Sequence, residues 1–173
     1  VLVFISLTFV FCSAKNDKEA RQKQITDYEN AINNAPQEID AKKADSLITL
    51  YNNYVKDFPK DSLCADYLFR TSQIYGNLKD CNNALKYLDR IIKEYPKGNR
   101  VGAAYFFKGV MLQDVCLNKE EAIKAFNIYI QKFPNSKQVN TAKMMIQMDT
   151  MQNESNEIKL LEKKSGEERK NYE

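Results

Sequence analysis

The sequence predicts an all-α protein built from repeated helical hairpins, and three observations carry that prediction. Aromatic-proline pairs recur at Phe58-Pro59, Tyr95-Pro96 and Phe133-Pro134, 37 and 38 residues apart. Ahead of the second and third pairs the same residue types return at the same distances: Ala84, Leu88, Ile91 and Ile92 before Tyr95, then Ala122, Phe126, Tyr129 and Ile130 before Phe133. Alanine followed by large apolar residues four and seven positions on marks one face of a helix. Each proline is followed by a short polar turn and a second apolar run, Asp66 to Tyr75 and Ala104 to Leu112. Proline cannot continue a helix and restricts the residue before it, so each pair ends one helix and opens a turn.

Taken in order, the chain opens with an apolar run from Val1 to Phe11, interrupted by Ser6 and Thr8, then Cys12-Ser13-Ala14 and a polar stretch from Lys15. That layout is a signal-peptide apolar region with its cleavage zone, residues 1–14. It is shorter than the roughly 20 residues of a membrane span. There is no initiator methionine or basic leader, so the start is expected to lack its first few residues. Two cleavage readings compete. In one, Cys12 is the lipidated residue of a lipoprotein, although Phe11 stands where such signals usually have a small residue. In the other, cleavage follows Ala14. A third reading packs the apolar segment on the repeats.

Residues 15–151 carry the repeats. The first A helix is expected from Lys18 to Asn34, polar apart from Ile25, Tyr28, Ala31 and Ile32, which suits a terminal repeat with one neighbour to cover. Its B helix holds Leu47, Tyr51 and Tyr54, with leucine where the later repeats have alanine. In repeats two and three, small residues on the A helix (Thr71, Gly109) and on the B helix (Ala84, Ala122) leave room for close helix approach. A last helix, from Lys137 to Met151, caps repeat three. Residues 152–173 mix Glu, Lys and Arg with few apolar residues and read as a charged tail, a frayed helix or disorder. Seven main helices and essentially no strand are expected.

These residues resemble the tetratricopeptide repeats, whose consensus sets an aromatic, a small residue, an alanine, an aromatic and a proline at fixed places. The resemblance spans residues 18–150. The period exceeds the usual ~34 residues, and the ending Phe133-Pro134-Asn135-Ser136 is similar to a longer variant found in bacterial envelope proteins. Those include the lipoprotein subunit of the outer-membrane β-barrel assembly machine and the periplasmic Tol-Pal-associated coordinator of cell division. The resemblance implies a right-handed helical-hairpin solenoid of about three repeats plus a capping helix. It also implies a concave protein-binding face carrying Leu68, Ser72 and Tyr75 from repeat two and Phe106, Val110 and Gln113 from repeat three. Members that clamp acidic peptide tails carry lysines and asparagines on that face, so the resemblance does not extend to chaperone-tail binding. Burial of Leu68, Phe106 and Val110 between helices is the competing reading, and it stands level with an apolar peptide groove.

Composition removes several functions. The 173 residues, 43% hydrophobic and 28% charged, suffice for one elongated domain. A net charge of +3 without a basic cluster gives no footprint for nucleic acid. The chain has no histidine, which removes the commonest general base and the Ser-His and Cys-His nucleophile pairs. Phosphate-binding glycine loops and nucleophile elbows are missing too. The adjacent pairs Glu120-Glu121 and Glu167-Glu168 splay apart on a helix and read as solvated surface. No catalytic residue, metal, cofactor or small-molecule substrate is expected. Cys64, Cys81 and Cys116 are expected as buried free thiols, with a Cys81-Cys116 bridge as the lesser reading. Met144, Met145, Met148 and Met151 stripe the last helix and are expected to pack on repeat three. The expected function is a non-catalytic protein-interaction scaffold of the bacterial envelope. The expected place is the outer membrane, as a lipoprotein facing the periplasm in a complex such as outer-membrane protein assembly, or the soluble periplasm. The alternatives are a Tol-Pal or cell-wall coordinator and a self-associating solenoid.

Overall fold

In the computed structural model, residues 5–33 and 41–170 are described, with side chains from 17 to 32 and from 41 to 163. Among the described residues there are seven α-helices and no strand: α1 (Ile5–Asn33), α2 (Ala41–Asp57), α3 (Cys64–Asn77), α4 (Cys81–Glu94), α5 (Val101–Asp114), α6 (Lys119–Lys132) and α7 (Val139–Lys170). This is the all-α helical-hairpin solenoid class. Helix α1 starts upstream of Lys18, and the side chain of Cys12 lies outside the described residues. Helix α7 continues through residues 152–163, a stretch rich in the helix formers Glu, Lys and Leu.

The aromatic-proline turns close in the same way three times. The amides of Phe58, Tyr95 and Phe133 still bond back into their helices, to Tyr54 O, Ile91 O and Tyr129 O. Each aromatic carbonyl then accepts from the amide three residues on, Asp61, Gly98 or Ser136, at 2.8 to 3.0 Å. The carbonyls of those residues accept from Cys64, Val101 and Val139, the first residues of α3, α5 and α7. Proline supplies no N–H here, so the turn wastes no donor. Within the hairpins, Asp80 and Asn118 cap α4 and α6 by accepting from the amides of Asn83 and Glu121. Lys79 and Leu117 precede these caps with positive φ, 61° and 54°.

The chain divides into two compact units, Val1–Val101 and Gly102–Glu173. In the first, α1 packs on α2, α2 on α3 and α3 on α4. The core is aromatic: Tyr51 stacks on Tyr67 with centroids 5.0 Å apart, and Tyr54 meets Tyr67 edge-on at 4.9 Å. Each buried hydroxyl needs a partner. Gln22 Nε2 donates to Tyr54 OH at 2.7 Å, which ties α1 to α2. Lys18 pairs with Asp61 at 2.7 Å, pinning α1 to the turn before α3. Between α3 and α4, Leu88 and Ile91 are fully buried, each contributing about 1.5–3 kcal/mol of apolar burial.

In the second unit the small residue on α5 is indispensable. A Cβ on Gly109 would lie 2.5 Å from Cε1 of Phe126, a fully buried ring of α6. Phe106 fills the space beside it, 5.8 Å from Phe126 and 5.3 Å from Tyr129. Tyr129 donates its hydroxyl to Ser136 Oγ at 2.6 Å, bracing the turn after Pro134. Helix α7 packs on α6, with Ala142 buried.

Candidate functional site

The first unit holds a cavity of about 220 Å³ lined by Glu29 and Ile32 of α1, Leu47 and Tyr51 of α2, and Arg70, Gln73, Ile74 and Asn77 of α3. Ile32, Leu47 and Ile74 are its aliphatic lining. Arg70, Gln73 and Asn77 recur three and four residues apart, so they stand along one exposed stripe of α3. Glutamine and asparagine side chains each carry donors and an acceptor, the set that matches a peptide group. The arrangement suits an extended segment lying along α3 with an apolar side chain in the cavity.

Charge in the cavity is organised around one carboxylate oxygen. Tyr51 OH and Arg70 Nη1 both donate to Glu29 Oε1. Burial, reinforced by the bond to Glu29, pushes the Tyr51 hydroxyl well above its ordinary value. Burial works against the Arg70 charge, and the bonds to Glu29 and Tyr51 outweigh it, so its pKa rises. Tyr51 therefore stays a neutral donor and Arg70 a cation at any working pH. Neither can act as a general acid or base, which requires a pKa near the operating pH.

Most of the concave residues expected in repeat two lie elsewhere. Leu68 and Ser72 belong to the core of the α3–α4 hairpin: Leu68 is 1% exposed, and Ser72 Oγ donates to Ala84 O at 2.9 Å. Tyr75 is half-buried and stacks on Tyr87, 5.6 Å between centroids. The register differs because Ser72 is one of the small residues through which α3 approaches α4. The open stripe is therefore the polar one, and Arg70, Gln73 and Asn77 could have been found by their shared spacing. In repeat three, Phe106, Val110 and Gln113 are half-buried on successive turns of α5. Gln113 Nε2 donates to Asp149 Oδ1 at 2.9 Å, and Asp149 is 2% exposed. The signal for Asp149 was its place three residues after Ile146 and seven after Ala142, on the packing face of α7.

Two further expectations are corrected. Cys64 is a buried free thiol that donates to Phe58 O at 3.1 Å, but Cys81 and Cys116 are disulfide-bonded. Both sit half-buried at hairpin turns, outside the helix interiors where a small apolar thiol is sealed. Met144, Met148 and Met151 are exposed rather than packed on repeat three, and Met145 is half-buried, because the packing face of α7 runs through Ala142 and Asp149 instead. Glu120 and Glu121 are exposed in the first turn of α6, and Glu121 pairs with Lys124 at 2.7 Å. Among the described residues, no group of three or more His, Cys, Asp or Glu could hold a metal ion. No described helix is long and apolar enough to cross a membrane.

Two stretches, residues 66–98 and 104–136, match the tetratricopeptide repeat family. They cover α3–α4 and α5–α6 together with the aromatic-proline turns that follow them. Stacked repeats of this kind present extended binding surfaces to other proteins. No curated protein matches the chain.

Proposed function

We propose, with two tetratricopeptide repeats as the premise, that this chain is a non-catalytic adaptor that grips a segment of a partner protein in the bacterial envelope. The observation that carries the reading is the cavity lined by α1, α2 and α3, where the exposed Arg70, Gln73 and Asn77 stripe shares the lining with the aliphatic Ile32, Leu47 and Ile74. Helix packing holds that surface in shape before binding, so little ordering entropy is lost on association. The apolar run ending at Cys12 supports export and a lipid anchor at that thiol in the outer membrane, facing the periplasm; cleavage after Ala14 would leave a soluble periplasmic protein. The disulfide-bonded state of Cys81 and Cys116 supports an oxidising compartment. The longer repeat variant favours a complex such as outer-membrane protein assembly, with a Tol-Pal coordinator as the alternative process. A second reading, self-association, is favoured by the exposed stripe of Met144, Met148 and Met151.

The test places a photo-crosslinking amino acid at Gln73, or at Lys86 on the exposed side of α4, in the full-length tagged protein in its host. Adducts with a β-barrel assembly protein from position 73 and not from position 86 are expected. Adducts of equal yield from both sites overturn the groove, and adducts only with a second copy promote self-association. A clickable fatty acid should label the protein and fail to label Cys12→Ala; equal label in both removes the anchor.

A further inference from the structure

Asp149 is the one acidic side chain buried in the core among the described residues, and the fold does not satisfy it. Its Oδ1 accepts from Gln113 Nε2, but its Oδ2 and Gln113 Oε1 are shut from solvent and, among the described residues, accept no hydrogen bond. Two orphaned acceptors thus belong to one bonded pair. A buried carboxylate with an unmade bond is costly. Asparagine at this position would cure both defects, because its amide could donate to Gln113 Oε1 while its oxygen still accepted from Gln113 Nε2. Packing alone therefore gives no reason for a carboxyl group here, and what the pair lacks is a donor.

We propose that Gln113 and Asp149 form the specificity site of the second unit, taking the guanidinium of an arginine from the bound segment. The inference rests on the reading of the chain as a binder of protein segments. Arginine suits the pair because its planar fork presents several N–H groups that can meet two acceptors at once, and because a guanidinium is weakly hydrated and enters partly buried sites readily. Phe106 and Val110 lie half-buried on the two turns of α5 before Gln113 and supply the apolar wall along which the side-chain stem runs. Gln113, itself half-buried, acts as the gate: its amide swings aside from Asp149 as the guanidinium enters, then accepts from it.

The experiment measures fluorescence anisotropy of a blocked, labelled pentapeptide, Ala-Leu-Arg-Leu-Ala, against the full-length protein and its Asp149→Asn variant. The counterpart peptide carries citrulline, which keeps the shape of arginine and loses its charge. The arginine peptide should bind the unaltered protein about 10-fold more tightly or better, the size of a charge-assisted hydrogen bond. The ratio should fall to about one in Asp149→Asn, while the Tm of that variant rises by about 2–4 °C or more as the orphaned acceptors are satisfied. Binding of both peptides with equal affinity overturns this proposal and leaves segment binding standing. A preference that survives in Asp149→Asn overturns it too, as does a fall in Tm, which would assign the carboxyl group to the fold. Failure of both peptides to bind removes the segment-binding reading in the second unit and this proposal with it.

Discussion

Gly109→Ala should destabilise the protein although it puts a better helix former into a helix. A Cβ built on Gly109 stands 2.5, 2.6 and 2.8 Å from Cε1, Cδ1 and Cζ of Phe126. Carbon atoms pack at about 3.5–4.0 Å, so the ring would have to withdraw by roughly 1 Å. Phe126 is fully buried and Phe106 lies against it, so the ring cannot withdraw freely. Overpacking of this kind costs about 1–3 kcal/mol, against which helix propensity returns about 1 kcal/mol. The net loss, up to about 2 kcal/mol, lowers the Tm of a chain this long by up to about 8 °C. Gly102→Ala is the control, because the nearest atom to its Cβ, Phe133 Cε1, is 3.6 Å away, an ordinary contact. That variant should melt at the same temperature or slightly higher. Thermal denaturation followed by circular dichroism compares the two, and a cycle with Phe126→Leu should show less than additive losses. If Gly109→Ala and Gly102→Ala move Tm in the same upward direction, close approach at Gly109 does not hold α5 to α6.

Three further outcomes follow from the geometry. Leu117 has φ 54° and is 79% exposed, so Leu117→Asn relieves a left-handed backbone without losing packing; the urea midpoint should rise by the equivalent of about 1 kcal/mol, and an unchanged midpoint counts against strain there. Burial pushes the Asp61 carboxyl up, but bonds from Lys18 and the Leu63 amide outweigh it and hold the group below the ordinary carboxylate range. Its folded pKa lies below the unfolded one, so its contribution is complete above an unfolded value of about 3.9 and is lost as pH falls through the folded value. Urea midpoints from about pH 6 to pH 2 should fall less steeply at the acid end for Asp61→Asn; parallel curves would remove Asp61 from the acid response. In denaturant without reductant, maleimide should label Cys64 and leave Cys81 and Cys116 unlabelled until reduction, as read by peptide mass spectrometry; prompt labelling of either would contradict the bonded state.

Local chemistry determined the punctuation of the fold. Proline after an aromatic stops a helix wherever it occurs, so Phe58-Pro59, Tyr95-Pro96 and Phe133-Pro134 marked the three turns without knowledge of any partner. Alanine and large apolar residues at helical spacing then fixed which face of each B helix is buried, and Ala84, Leu88, Ala122 and Phe126 are all fully enclosed. Gly109 was legible as a close-approach residue for the same reason. The binding surface was less so. The family resemblance placed Leu68 and Ser72 on an open concave face, with burial of Leu68 as the level alternative, whereas the rotation of α3 against α4 is decided by which side chains fit the interface. Ser72 fits because it is small and finds Ala84 O. Only the tertiary arrangement could bring Glu29, Tyr51 and Arg70, from three helices, onto one carboxylate oxygen, or set Gln113 against Asp149 across 36 residues. Helical spacing acts within a turn or two and is written in the sequence, while a polar pair between helices exists only once packing has set their rotation and height.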